Sequence, residues 1–409
     1  MRRAATALAL VLAGCASHRV VRHGAVNQDA VDVVRRALPE VRQLAFTAPV
    51  PAAALSRAEM GDVMRRELEQ TYAPGDLDRL QAVYVRLGLL PSGTDLPRAL
   101  ARLFQQEGAG FYDPRTKRLV IGSDGLAGGI GVAALGFVTG RDLVGELVLA
   151  HELTHALQDQ HWGLRTTPEP LLDGHGDREL ARRALLEGDA TLAGFEYVAR
   201  APLDRRAIGV IERQLRGLPA ELDRKYPDVP ELLRASLAFQ YEAGTAFVGW
   251  ALGNGGFRLV DAIHADPPES TEQVLHPARY FGHRDRPVAI ALDGADRLES
   301  GGWTRVVEDT LGELQLRVLA RRFFPRERAD RVADGWGGDR LRALARGGDF
   351  LLLWLTAWDS PADAAEFADA AREMYPDARV EERGERVLVL VGAGEADTGP
   401  IWRGRIRRS

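Results

Sequence analysis

The chain has almost no cysteine and almost no lysine. Cys15 is the only cysteine among 409 residues, which excludes a disulfide within the chain. Lys117 and Lys225 are the only lysines, and the formal net charge is −5, so the composition gives no electrostatic case for nucleic acid as a partner. The hydrophobic fraction of 45% and the charged fraction of 27% are those of an ordinary globular protein.

The N-terminus has the pattern of an exported lipoprotein. A charged MRR precedes the apolar run AATALALVLAG, which is too short to span a bilayer as a lasting helix. The run ends in Leu-Ala-Gly-Cys15, which resembles a bacterial lipobox; a plain signal peptide with an incidental cysteine is the alternative. We expect cleavage before Cys15 and a lipid-anchored protein of the cell envelope. Ala16, which is not an aspartate, favours the outer membrane where the cell has one.

The motif with the clearest chemistry is His151-Glu152-Leu153-Thr154-His155. Histidines four apart share one face of a helix, and their imidazoles can reach a single Zn²⁺. The glutamate between them is placed to take a proton from a water on the metal. The surrounding residues are strongly apolar and predict a buried helix that runs to about Trp162, and two histidines buried there need a partner such as a metal ion.

A third ligand is needed for a site that keeps one position for water. A second predicted helix runs from Asp177 to about Arg200 and carries Glu187 within an apolar stretch. The spacing alone leaves two interpretations open. Glu187 is either a metal ligand or an ordinary glutamate that pairs with a neighbouring arginine, Arg182 or Arg183.

HELTHALQDQ resembles the zinc helix of the thermolysin-like, gluzincin-type metallopeptidases. Together with ALLEGDAT it resembles a family of predicted bacterial and archaeal zinc metallopeptidases, many of them lipoproteins, and the resemblance extends over most of the chain after about residue 28. It implies that Glu187 is the third ligand of one zinc per chain. The thermolysin pattern Glu-x-x-x-Asp is not kept, because Asp189 follows at plus two and Thr191 stands at plus four. The carboxylate that orients a ligand histidine stays open among Asp159, Asp177 and Asp189.

The expected fold class is α+β. We predict a mainly helical, zincin-like core with a small sheet, in which GFYDPRTKRLVIG forms a hairpin. The N-terminal helices are expected to form a lid or a support. After Gly301 a helix that starts at Thr304 should precede the order strand–helix–strand–strand, which resembles half of a ferredoxin-like sheet. The predicted boundaries are 1–14 for the signal peptide, 15–27 for a tether, 28–107 for the N-terminal helical region, 108–300 for the catalytic core and 301–409 for the C-terminal α+β region.

Three functions fit these patterns. The first is a zinc-dependent peptidase acting on a peptide or protein, in which Glu152 activates the water and carries its proton to the leaving amine. His276 is its predicted oxyanion donor, with capping of a helix or core packing as the alternative. The second is a catalytically inactive envelope lipoprotein that uses the fold as a binding or assembly scaffold; the intact Glu152 counts against it. The third is a zinc hydrolase of non-peptide substrates, which the motif also allows.

Overall fold

A computed structural model describes residues 19–107, 110–123, 141–164, 174–392, 399–402 and 406–407. Helices dominate these residues and the strands form several small sheets, which confirms the α+β class. The signal peptide, Cys15 and the first residues of the tether lie outside the described residues. Among the helices that the structure describes, none combines the length and the apolar character needed to cross a bilayer.

The region before residue 108 is mainly helical, as predicted. Its first helix is amphipathic and buries Val31, Val34 and Leu38, while Ser56 begins the next with a capping box completed by Glu59. The elements are β1 (Val21–Arg22), β2 (Ala25–Val26), α1 (Gln28–Arg42), β3 (Ala52–Leu55), α2 (Arg57–Thr71), α3 (Asp76–Leu87) and α4 (Leu96–Glu107).

A three-stranded sheet joins this region to the predicted core. The predicted hairpin is present as β4 (Gly110–Asp113) and β5 (Arg118–Gly122), paired antiparallel. Strand β3 pairs parallel with β5, which gives the order β3-β5-β4. Strand β4 is therefore an edge of this sheet. The N-terminal region and the hairpin share one sheet across the predicted boundary at residue 107.

The two predicted motif helices are both present. Helix α5 (Leu143–Trp162) begins where the Asp142 side chain accepts the Gly145 N–H at 3.0 Å, and α6 (Gly176–Ala199) follows the undescribed residues 165–173. Helix α6 packs against the long α9 (Glu231–Ala265), which is broken at Gly256 by a positive φ of 63°. The remaining helices of this part are α7 (Arg205–Leu215), α8 (Leu218–Lys225), α9 (Glu231–Ala265), α10 (Thr271–Leu275) and α11 (Ala278–Phe281).

The C-terminal region contains more strand than predicted. Residues Thr304–Asp309 form a strand where a helix was expected, and Trp336–Arg346 is also a strand, so the sheet has five antiparallel strands in the order β10-β11-β9-β8-β7. The strand Trp336–Arg346 was not predicted because its polar side chains and the bulge near Gly338 interrupt the alternating pattern of a strand. The elements are β6 (Ala289–Ile290), α12 (Asp296–Ser300), β7 (Thr304–Asp309), α13 (Gly312–Arg321), α14 (Arg326–Ala333), β8 (Trp336–Arg346), β9 (Asp349–Trp358), α15 (Pro361–Met374), β10 (Arg379–Arg383), β11 (Arg386–Gly392), α16 (Gly399–Trp402) and β12 (Ile406–Arg407).

This sheet holds the first turn of α6. The Asp309 carboxylate, at the end of β7, accepts the Gly176 N–H at 2.9 Å and the Tyr84 hydroxyl at 3.1 Å. The Asp177 N–H donates to the Thr310 carbonyl at 3.2 Å. A Cβ on Gly312, whose φ is +74°, would lie only 1.7 Å from the Asp177 carboxylate, so the turn after β7 fits closely against α6.

A second buried carboxylate stands behind this contact. Asp339 on β8 accepts the Leu311 N–H at 2.9 Å and the Trp354 indole N–H at 3.2 Å. Burial raises the pKa of Asp339 to about 7, and the charge of Asp309 adds to that rise. Burial likewise raises the pKa of Asp309 to about 6. The junction therefore carries two carboxyl groups that change charge near neutral pH.

We predict that Asp339→Asn changes how stability depends on pH. An unfolded aspartate has a pKa of about 3.9, so folded wild-type protein binds more protons than unfolded protein between about pH 4 and pH 7. Relative to the variant, the wild-type free energy of unfolding should fall as the pH rises through that window, by about 1.4 kcal/mol per unit of pKa shift. Urea unfolding at several pH values measures this difference.

The matched control for that series is Asp349→Asn, at the exposed start of β9. This variant removes the same charge from an exposed position, so the pH trend of Asp339→Asn is measured relative to it. A wild-type stability that rises relative to Asp339→Asn between pH 4 and pH 7 would contradict the assignment.

Candidate metal centre

Two helices bring the three predicted ligands together. His151 and His155 lie one turn apart on α5, and Glu187 faces them from α6. The His151 Nε2 atom lies 3.1 Å from Glu187 Oε2 and 3.2 Å from His155 Nε2, and His155 Nε2 lies 3.6 Å from the same carboxylate oxygen. The three side chains are only 14%, 12% and 20% exposed.

The triangle of donor atoms fits a zinc ion. Bonds of 2.0–2.1 Å in a tetrahedral site place ligand atoms about 3.3 Å apart, and the three separations bracket that value. Two imidazole nitrogens and one carboxylate oxygen form the donor set of a catalytic zinc site with one position left for water. The residues present therefore fit the metal that the motif implies.

The charges in the centre reinforce one another. Burial lowers the pKa of His155, but the Glu187 carboxylate together with Glu152 and Gln158 outweighs burial and raises that pKa to about 9. In return, the two imidazoles hold the pKa of Glu187 far below its usual range against the opposing effect of burial. The charged Glu187 carboxylate thus faces two imidazoles, and the same arrangement of groups would stabilise a bound cation.

Glu152 lies beside the three predicted ligands, on the same helix as the two histidines. It is 8% exposed, and its Oε2 atom accepts the backbone N–H of Tyr112 on β4 at 2.9 Å. Burial raises the pKa of Glu152, and the neighbouring histidines lower it in part. A carboxylate held in one orientation with a raised pKa is suited to accept a proton near neutral pH.

The residue that contacts a ligand histidine is Gln158, which the sequence analysis missed. Its Oε1 atom lies 2.8 Å from His155 Nδ1, and its Nε2 atom lies 2.9 Å from Asp189 Oδ2. Of the three candidate carboxylates, Asp189 is therefore the one linked to a ligand. Asp159 bonds instead to the Tyr112 hydroxyl and Asp177 to Thr271. The signal in the sequence was the spacing of Gln158, three residues after His155 on the same helix face.

Helix α9 approaches the centre through glycine. A Cβ on Gly188 would lie 2.2 Å from the Gly244 carbonyl oxygen, and a Cβ on Gly244 would lie 2.1 Å from that of Ala184. This close crossing brings the Tyr241 ring to 6.1 Å from the His151 ring, nearly parallel to it at 27°. Nothing in the sequence pattern connected Tyr241 with the motif, because the contact depends on how two distant helices cross.

His276 lies in a different cluster. It ends α10, and its Nε2 atom lies 3.0 Å from Glu313 Oε1 and 3.3 Å from Arg317 Nη2, both on α13. These contacts give no support to the predicted oxyanion role. They fit the alternative, in which His276 closes a short helix and packs against its neighbours.

We predict that Gly244→Ala destabilises the protein and weakens zinc binding. The added methyl group would force α9 away from α6, which carries Glu187, so both the melting temperature and the zinc affinity should fall. Gly253→Ala on the same helix is the control, because its Cβ would meet only the movable Arg205 side chain, at 3.1 Å. Alanine is favoured over glycine in a helix by about 1 kcal/mol, so the control should be at least as stable as wild type. Equal melting temperatures for both variants would refute the close crossing.

Comparison with known proteins matches one part of the chain. A family model described as a domain of unknown function (DUF8575) matches residues 297–398, and the described part of that range, residues 297–392, contains all five strands of the C-terminal sheet. No curated protein and no solved structure matches the chain. The matched region lies beyond both helices of the metal centre and includes Asp309, which holds the start of α6.

Proposed function

We propose that the chain is a zinc-dependent peptidase with a zincin-like core. The observation that carries this proposal is the triangle of His151, His155 and Glu187, with the buried Glu152 between the two histidines on α5. The three ligands would hold one Zn²⁺ per chain. When bound, the ion supplies Lewis acidity and makes water nucleophilic near pH 7.

Glu152 is the general base in this proposal. The Tyr112 N–H orients one oxygen of its carboxylate, and burial raises its pKa toward the working pH. Glu152 takes a proton from the attacking water and then gives it to the leaving amine, so the same group serves both halves of the hydrolysis. The hydrogen bond from β4 keeps the carboxylate in place between these steps.

The edge strand supports an extended peptide as the substrate. Strand β4 is an edge of its sheet, and its Tyr112 N–H is taken by Glu152, so an extended chain would add to this edge beside that hydrogen bond. An extended chain that added to this edge would run alongside α5 and place a carbonyl group near the three ligands. This placement favours a peptide over a small non-peptide substrate.

The scaffold alternative fits the site less well. A binding protein does not need a buried glutamate between two metal ligands, and burial of such a carboxylate is unfavourable.

For the cellular location we propose, from the lipobox-like sequence alone, an exported protein that is anchored to the envelope by a lipid on Cys15.

We predict that Glu152→Gln lowers peptide hydrolysis by about 10²–10⁴-fold while zinc affinity stays at the wild-type value. Glutamine keeps the shape and the hydrogen bond from Tyr112 but accepts no proton. Quenched-fluorescence peptide mixtures measure cleavage, and competition with a chelating dye measures zinc affinity. Glu146→Gln is the control, because Glu146 lies on the same helix but pairs with Arg141.

Full activity in Glu152→Gln would refute the base assignment. Zinc-loaded wild-type protein that cleaves no peptide in the mixture, and still binds peptides, would favour the scaffold.

A further inference from the structure

A fully buried arginine from the N-terminal region lies behind the metal centre. Arg42, the last residue of α1, is 0% exposed. Its Nε and Nη2 atoms donate to the two carboxylate oxygens of Asp189 at 2.7 and 3.1 Å, and its Nη1 atom lies 2.7 Å from Asp261. The guanidinium also lies 5.6 Å from the Trp162 ring and 4.7 Å from the Phe257 ring. A buried charge needs such close pairing. The two parallel bonds from Arg42 to Asp189, called the fork below, fix the position of the Asp189 carboxylate.

The donors and acceptors in the hydrogen bonds of the Gln158 side chain can be assigned in only one way. The Gln158 Nε2 atom lies 3.1 Å from the Leu186 carbonyl oxygen and 2.9 Å from Asp189 Oδ2. A carbonyl oxygen only accepts, so the amide nitrogen of Gln158 must face this side and its oxygen must face His155. The His155 Nδ1 atom at 2.8 Å from that oxygen must then carry a proton, which leaves Nε2 as the nitrogen that faces Glu187 and His151.

We propose that Arg42 is a positioning residue of the metal centre, which acts through Asp189 and Gln158 to keep a proton on His155 Nδ1 and so to assign Nε2 as the zinc ligand. The inference rests on the proposed function only in taking His151, His155 and Glu187 as a zinc site. It makes the N-terminal region part of the centre and favours the predicted support over the predicted lid.

His264 holds the same carboxylate from another side. Its Nε2 atom lies 2.8 Å from Asp189 Oδ2, and its ring stacks on Trp162 at 4.2 Å. Arg42 bonds to both carboxylate oxygens of Asp189, whereas the described bond from His264 reaches only Oδ2. Loss of Arg42 should therefore let Asp189 rotate about the His264 contact and away from Gln158.

The direct test is histidine NMR on the full chain with ¹⁵N-labelled histidine, with and without zinc. In wild-type protein a proton bonded to His155 Nδ1 should be visible and slow to exchange in both states. Its signal is assigned by its loss in His155→Gln. In Gln158→Met, which keeps an unbranched side chain of similar length, that proton should exchange much faster.

Zinc affinity supplies the second measurement. Partners that orient a ligand typically contribute 10–100-fold in metal affinity, so we expect a loss of that size in both Gln158→Met and Arg42→Met. Arg42→Lys keeps the charge without the fork and should recover part of the affinity. Asp261→Asn is the control, because Asp261 pairs with Arg42 but has no bond to Asp189 in the contacts described; it should retain the Nδ1 proton and the affinity.

The outcomes separate this inference from the proposed function. A wild-type His155 that carries no proton on Nδ1 in the metal-free protein, or that binds zinc through Nδ1, overturns the inference even if peptides are cleaved. A folded Arg42→Met protein with wild-type proton exchange and affinity also overturns it. If Arg42→Met does not fold, Arg42→Lys provides the test. A wild-type exchange rate of the His155 Nδ1 proton and a wild-type zinc affinity in Arg42→Lys would exclude a role for the two Arg42–Asp189 bonds. A protected Nδ1 proton in a chain that cleaves no peptide supports the inference while contradicting the proposed function.

Discussion

Three donor atoms can share one metal ion only if α5 and α6 keep a fixed separation and rotation, because ligand atoms in a tetrahedral zinc site stand about 3.3 Å apart. Contacts from several parts of the chain fix the position of α6. The C-terminal sheet holds its first turn through Asp309, α9 crosses it at Gly188, and Arg42 holds Asp189 two residues after the proposed ligand Glu187. The fold is therefore organised around the position of one helix.

Several carboxylates near these contacts are buried, among them Asp189 and Glu152. Asp189 accepts bonds from Arg42, Gln158 and His264, and its pKa stays far below the usual range because Arg42 and His264 outweigh the effect of burial. Glu152 has only partial compensation, and its pKa rises. Two buried carboxylates with opposite shifts give the centre one group that stays charged and orients a ligand, and one that can exchange a proton.

Local spacing predicted part of this centre from the sequence, and tertiary contacts supplied the rest. The helical period alone places His151 and His155 on one face, and the apolar residues around them predict that the face is buried. Glu187 needed the family resemblance, since nothing in its own helix distinguishes a ligand from a paired glutamate. Arg42 and Tyr241 could not be identified, because their contacts depend on the packing of distant helices. The missed strands of the C-terminal sheet carry charged residues at positions that a sequence pattern assigns to solvent, such as Arg340 and Arg342.

Metal content tests the central claim most directly. Elemental analysis of purified protein, with wild type beside Glu187→Ala, measures zinc per chain without any assumption about the substrate. The geometry predicts one zinc in the wild type and a sharp loss in the variant, because removal of one of three ligands leaves two imidazoles. No zinc in either protein would contradict the metal centre itself. Zinc retained in both would show that the third ligand is a residue other than Glu187.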